Sequence, residues 1–420
     1  MRAREVAIWR SFAFSLLGMI RVGSLTVVEG ARRHTFGSGA PAATIAAHDP
    51  SFWRMLLRGS RGLAEAYIRG AWDSPDLVAV MRLAARNVGV IDDARRRTAP
   101  LWTPRQRLRA VRNRNTPSRS RRHVAAHYDL GDELFERMLD PTMMYSCALF
   151  ERPGMTLEEA SQAKLERVCE QLALGPDDHL IEIGSGWGTL AIHAAATRGC
   201  RVTTATISAN QHAYATRRVA SAGLTDRVRV LLTDYRHLRG RYDKLVSIEM
   251  IEAVGWQHIG TFFERCSGLL HDRGTMMLQA ITIDDRAYEL EKASKSFIKE
   301  YIFPGGCLPS LEVIIRNVAR RTDMQAVGLA DITSSYVETL RRWRENVCAN
   351  RAELERLGYD ERFFRLWTLY LAYCEGGFAE RRIRDVQLLL AKPHAAFDAA
   401  DLRSTRLRAP SLPLVDLPAG

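Results

Sequence analysis

The seven cysteines, at 147, 169, 200, 266, 307, 348 and 374, contain no C-x-x-C pair, and their number is odd. Neither a zinc-ligand cluster nor a disulfide framework follows from such scatter, and a reducing cytoplasm is the simplest home. No apolar run is long enough to cross a bilayer. The nearest, Ile8 to Ile20, is too short and is interrupted by Arg10. A basic start precedes it, but no small-x-small cleavage site follows Met19-Ile20-Arg21-Val22, so it does not read as a secretory signal. An amphipathic helix is expected there, packed on the rest of the chain or lying on lipid.

Acidic residues are missing from two further places. None occurs between Glu182 and Asp226, and none from Ala94 to His127, where Arg95, Arg96, Arg97, Arg105, Arg107, Arg109, Arg112, Arg114, Arg119, Arg121 and Arg122 crowd together. Pro100, Pro104 and Pro117 interrupt that second stretch, which reads as a linker. A charge run of this kind is either a solvated segment or a phosphate-seeking one. Nucleic acid would call for interleaved aromatics, and only Trp102 is present, so an anionic membrane surface is the preferred partner and nucleic acid is not expected.

What is present is a chain of 420 residues with 46% hydrophobic and 26% charged residues and a net charge of +12. The length allows two domains and a large core, while the basic balance favours an anionic partner. Residues 1–93 read as a small α+β domain. Ser24 to Glu29 alternates like a strand, Gly30 to Arg33 turns, His34 to Phe36 returns, and helical patterning follows at Phe52 to Leu57 and Pro75 to Ala85. The linker takes 94–126, a catalytic domain 127–393 and a weakly patterned tail 394–420.

Within the catalytic domain, strands are expected near 179–183, 201–206, 227–232, 244–248 and 274–281 with helices between them. That alternation predicts an α/β fold with a mostly parallel sheet and ligand loops at the carboxyl ends of its strands. After Asp284 the chain is expected to be largely helical. The loop Glu182-Ile183-Gly184-Ser185-Gly186-Trp187-Gly188 sits at one such strand end. Its glycines allow close backbone approach to a ligand at a helix N-terminus. The G-x-G-x-G spacing and the absence of an acid about 20 residues on disfavour a dinucleotide. Glu182 suits S-adenosylmethionine, whose ammonium group a carboxylate near the glycines can receive; other α/β nucleotide ligands stay open on the loop alone.

Further motifs narrow this. His127-Tyr128-Asp129-Leu130-Gly131, Asp140 to Cys147, the loop 182–188, Thr206-Ile207-Ser208 with Gln211, Tyr301-Ile302-Phe303-Pro304-Gly305-Gly306, Trp343-Arg344-Glu345-Asn346 and Tyr373 to Phe378 together resemble the cyclopropane-fatty-acyl-phospholipid synthase family. The likeness covers roughly residues 22 to 393. It implies a class I methyltransferase-like domain with helical insertions behind a small lipid-engaging domain. It also implies transfer of a methylene unit from S-adenosylmethionine to the cis double bond of a phospholipid acyl chain. A cytoplasmic protein held peripherally at the inner face of the membrane, as a homodimer, is implied too.

The resemblance also distributes roles. Tyr145, Ser146, Glu182, Gly184, Ser185, Gly186, Trp187, Gly188, Thr206, Ser208, Gln211, Asp234 and Tyr235 fall to the cofactor, and no metal is expected. Alkylating an alkene leaves a carbocation, and the Tyr336 face is suited to it. A bound bicarbonate ion is implied as the base, held by the Cys147 backbone, Glu249, the backbone near Ile281, Tyr336 and a histidine whose place is taken by Gln279. Glutamine can donate a hydrogen bond but cannot relay a proton. Cys374 aligns near the site. A methyl-branched or methylene product, methylation of a small or head-group amine, and a lipid-binding pseudoenzyme are the competing readings.

Overall fold

The computed structural model describes residues 3–98, 130–294 and 296–396. The motif His127-Tyr128-Asp129, the tail beyond 396 and nearly all of the expected linker lie outside the described residues. At the start of that linker the chain is still helical, because the helix Leu77–Thr98 continues past residue 94.

The first unit is built on the expected hairpin. Strands β1 (Gly23–Glu29) and β2 (Arg32–Ser38) pair antiparallel around Gly30, whose φ of 59° suits glycine in a tight turn. Two short strands that the sequence did not announce, β3 (Ala42–Ala47) and β4 (Trp72–Asp73), complete a sheet of order β2-β1-β3-β4. Alternation puts Leu25, Val27, Ala43 and Ile45 on its buried face. The helices Ser51–Leu56 and Gly59–Ile68 supply the buried Phe52, Trp53, Ala66 and Tyr67. The expected N-terminal helix forms over Ala3–Leu17, with Ala13 and Leu17 turned inward.

The second unit holds a seven-stranded sheet. Strands β5 (His179–Ile183), β6 (Arg201–Thr206), β7 (Val228–Leu232), β8 (Tyr242–Ile248) and β9 (Leu270–Ile283) match the five expected ones and run parallel. Two more, β10 (Gln325–Asp331) and β11 (Ile383–Ala391), join antiparallel, giving the order β10-β11-β9-β8-β5-β6-β7. The stretch after Asp284 is largely helical, as expected, but these two strands were not foreseen. Short apolar runs such as Leu388-Leu389-Leu390 do not distinguish a strand from a helix by period, and the partner of β11 lies about a hundred residues earlier.

Between these last strands two long helices, Thr333–Ala349 and Glu361–Ala379, pack on each other. The second also packs on Leu77–Thr98 and Gly59–Ile68, so one hydrophobic core runs through both units. Arg365 fastens the contact, donating to the Tyr67 and Trp72 carbonyls at 2.6 and 2.9 Å and to Asp73 at 2.7 Å. Among the described residues no helix is long and apolar enough to cross a membrane.

Candidate active site

The glycine loop leaves β5 and enters the helix Thr189–Arg198. Gly184, Gly186 and Gly188 all have positive φ, at 102°, 48° and 86°. A Cβ on Gly188 would stand 3.0 Å from the Ala215 side chain, so this glycine lets two helices close up, whereas a Cβ on Gly186 would meet nothing within 4 Å. Open space over a left-handed glycine at a helix N-terminus is the arrangement a nucleoside ligand needs, and S-adenosylmethionine fits it. Neighbouring strand ends converge on the same edge. Gly184 and Ser185 donate to the Ala205 carbonyl and Thr233 donates to that of Thr206, which places the loops after β5, β6 and β7 side by side.

The polar residues of that edge are already organised. Thr206 donates through Oγ1 to Gln211 at 2.9 Å, and Ser208 caps the following helix by accepting from the Gln211 amide. Asp234 is buried and accepts from the Arg236 guanidinium at 2.8 Å twice, with Tyr235 buried beside it. Glu182 is enclosed and accepts from Thr204 at 2.5 Å; burial pushes its carboxyl up to about 8. Trp187 points into the core, donating to Asp132 at 2.9 Å and packing on Phe135, and thereby anchors the loop. Ser146 accepts from the fully buried Lys164 at 2.5 Å.

A second cluster forms where β8 and β9 end. Glu249 follows β8 and lies at φ 47°, in the left-handed region. Its Oε1 accepts from the Cys147 amide at 2.8 Å and from Gln279 Nε2 at 2.8 Å, and its Oε2 accepts from the Tyr336 hydroxyl at 2.6 Å. Burial raises its carboxyl above the ordinary value while these donors and Lys164 oppose the rise. The Tyr336 ring stacks on Phe378 with centroids 4.2 Å apart. Four of the five residues expected to carry the chemistry, Cys147, Glu249, Gln279 and Tyr336, are thus brought into mutual contact. Cys374 lies apart from that network, and burial pushes its thiol up to about 12, so it stays protonated.

Several members of the site escaped the sequence reading. Gln279 also donates to Asp385 at 2.9 Å and accepts from Gln387 at 3.1 Å, both on the unforeseen strand β11. Glu252 is buried, accepts from the Ile281 amide at 2.5 Å, leaves its second oxygen without a partner, and is pushed by burial up to about 8. Its place three residues after Glu249 in Glu249-Met250-Ile251-Glu252 was the available signal. Lys164 gave none, being one lysine on a helix whose other charges are exposed or half-buried.

Beside the cluster opens a cavity of about 1050 Å³. Glu249, Glu252, Tyr145 and Tyr336 line one part of it, and apolar side chains such as Phe297, Leu340, Leu63 and Met19 line much of the rest. The wall comes from both units. Met250, next to Glu249, sits where a Cβ on Gly184 would touch it at 3.3 Å, so the glycine loop packs against the residue that follows a cavity-lining one.

Residues 115–388 match the family model for mycolic acid cyclopropane synthetase. The chain belongs to that family. It is accordingly an S-adenosylmethionine-dependent methyltransferase of the cyclopropane synthase kind, and the methyltransferase-like fold expected from sequence is the one observed. It is 38% identical over 347 residues to a tuberculostearic acid methyltransferase of Mycobacterium tuberculosis, covering 81% of this chain and 80% of the relative. With the cyclopropane-fatty-acyl-phospholipid synthase of Escherichia coli it shares 35% over 360 residues, 84% of this chain and 87% of the other. A mycolic acid cyclopropane synthase solved with SAH and CTAB superposes with a TM-score of 0.61 at 31% identity, over 65% of this chain and 98% of that one.

Proposed function

We propose that this enzyme transfers one carbon from S-adenosylmethionine to the cis double bond of an unsaturated phospholipid acyl chain and closes it into a cyclopropane ring. The cavity carries the reading. Ligand pockets commonly hold roughly 300–1,000 Å³, and this one, at about 1050 Å³, combines that size with a largely apolar wall and one polar corner beside the glycine loop. An acyl chain needs the wall, and its double bond needs the corner.

S-adenosylmethionine supplies an electrophilic methyl on a positively charged sulfur. Everything else falls to the chain's own residues. Gly184 to Gly188 and Thr206 with Gln211 hold the cofactor at the strand ends, and Glu182 faces its ammonium group. Phe297, Leu340 and Phe378 keep water from the carbocation. The Tyr336 ring offers it a face, an interaction of about 0.5–2 kcal/mol. Fixing alkene and methyl in line contributes most, since positioning is able to supply about 7–11 kcal/mol of a barrier.

A second product is favoured by two particular observations. The 38% identical relative is a tuberculostearic acid methyltransferase, and Gln279 cannot relay a proton. Loss of a proton from the chain rather than from the new methyl would give a methyl-branched, still unsaturated product, and a hydride shift to the first cation followed by loss from the new methyl would give a methylene product. Membrane phospholipid at the cytoplasmic face is proposed as the source of the chain, supported by the exposed Met19 at the cavity wall and by the net charge of +12.

The test is mass spectrometry of lipids from a host expressing the chain and fed methionine with a CD₃ methyl. A product with two retained deuteriums and a ring that resists hydrogenation is expected. Three retained deuteriums in a methyl branch, or two in a methylene that hydrogenation reduces, would replace the ring by the second product, and no labelled acyl chain at all would reject both. Label on a lipid head group or a small amine would point to the amine reading instead, and cofactor binding without turnover to a pseudoenzyme.

A further inference from the structure

Glu65 lies on the helix Gly59–Ile68 of the first unit and is almost fully buried, a costly place for a carboxylate without partners. It has three. Arg58 Nη1 donates to one oxygen at 2.8 Å, while Arg61 Nε and the Tyr301 hydroxyl donate to the other at 3.0 and 3.2 Å. Tyr301 belongs to the second unit, and Glu300 beside it pairs with Arg61 at 2.9 Å. The two units share one hydrogen-bonded hub.

That hub stands in the cavity wall. Arg58, Ser60 and Leu63 line the cavity from the first unit, and Phe297, Ile298 and Phe303 line it from the second. A short run of chain then leads from Tyr301 to the reacting corner, where the Cys307 amide donates to the Glu252 carbonyl at 2.9 Å. Gly305 holds φ at 79°, and a Cβ on Gly306 would stand 3.1 Å from the Phe303 carbonyl oxygen and 3.7 Å from that of Glu252, so the two glycines permit this close passage. The stretch is thus pinned to Glu65 and to Glu252, with Phe303 between the pins and Phe297 and Ile298 one turn ahead of the first. Arg365 and the shared core fasten the units elsewhere.

We infer that Glu65 is a positioning residue for the acyl chain: through Tyr301 it fixes the wall formed by Phe297, Ile298 and Phe303, and so sets which carbon of a bound chain meets the reacting corner. The inference rests on the acyl-chain reading above. An acyl chain offers no polar group along its length for a wall to grip. Its register against the methyl donor is therefore decided by where the wall stands, and a misplacement of about 1 Å is able to cost about 10²-fold in rate.

The experiment offers vesicles holding equal amounts of two phospholipids that differ in one cis double bond, moved by two carbons along a chain of the same length. One lipid carries an isotopic mark in its glycerol, so that the products separate by mass after turnover with CD₃-labelled S-adenosylmethionine. The ratio of labelled products is read for wild type, Y301F, E65A and E65Q. The wild type is expected to favour one isomer. Y301F, which loses only a hydroxyl, should move the ratio ~10-fold toward equality, a change of the size that one methylene makes in an apolar pocket. E65A should move it the same way, and E65Q, whose amide oxygen still accepts from Tyr301, should return it to the wild-type value. An unchanged ratio in Y301F and E65A, whether or not total turnover falls, would make Glu65 a structural tie and overturn the inference. So would a wild type indifferent to the two isomers, an arm that needs no variant to fold. A wild type that labels no acyl chain would instead overturn the acyl-chain reading, and the inference with it.

Discussion

Glu182 sits in β5 with no exposure to speak of, and its environment decides its protonation. Burial pushes its carboxyl from the ordinary 4.5 up to about 8, with the Thr204 hydroxyl and Lys164 pulling the other way. The sign of the consequence is fixed. Below 4.5 the group is neutral folded and unfolded and costs nothing; between 4.5 and about 8 the unfolded chain releases the proton that the folded chain keeps, so stability from this group is lost as pH rises. The neutral isostere E182Q is expected to gain on the cofactor-free wild type across that window, by at most about 1.4 kcal/mol per pH unit, and to gain nothing further above it. Denaturant midpoints of the two proteins over the same range would show it, and a constant difference would sink the idea. At this scale much of the site was legible. Cys147, Glu249, Gln279 and Tyr336 stand in recognisable motifs. Lys164 and Asp385 do not, because a buried charge leaves no mark on composition or period; only the fold brings them to Glu249.

Elements show packing overruling propensity. Gly376 lies inside the helix Glu361–Ala379, where alanine would ordinarily gain about 1 kcal/mol. A Cβ there would stand 2.7 Å from Met81 Cβ and 2.9 Å from the Arg82 amide nitrogen, on the helix Leu77–Thr98. Neither atom is the end of a flexible side chain, so the two helices must part. Gly89, on that second helix, is exposed, and its Cβ would meet nothing within 4 Å. G376A is therefore expected to lower stability by about 1–3 kcal/mol through overpacking, and G89A to raise it by about 1 kcal/mol. Thermal unfolding of both settles which effect rules; a stabilised G376A would show that the contact between the units is loose. The same contrast explains what the sequence hid. The five parallel strands alternate with helices and announced themselves, whereas β10 is an edge strand with little buried surface and β11 opens with Arg384, Asp385 and Gln387. Asp385 and Gln387 are stable in a central strand because Gln279 on β9 meets both side chains and Thr333 accepts from the Asp385 amide.

On the scale of the whole molecule, the cavity ties the first helix to the reacting centre. The Ala3–Leu17 helix has two apolar faces: Ala13 and Leu17 pack inward, while Ile8 and Phe12, one turn apart, are 50% and 60% exposed. Just beyond it Met19 is exposed and also lines the cavity, with Ile20 beside it. The sequence suggested a helix that lies either on the chain or on lipid, and periodicity alone could not reveal that one face serves the core and leaves the other uncovered. An outer apolar face continuous with the cavity wall would set the mouth against the bilayer, so that an acyl chain passes inward without crossing water. Phe12→Asp removes an apolar ring, whose full burial is worth about 1.5–3 kcal/mol, and adds a charge that anionic lipid repels. Turnover on anionic vesicles at limiting lipid is expected to fall by ~10-fold or more, while turnover on the same lipid dispersed in detergent and the thermal midpoint stay at wild-type values, since the ring lies outside the core. Equal losses in vesicles and detergent would assign Phe12 to the fold or the site, and no loss in either would remove this helix from the path of the lipid.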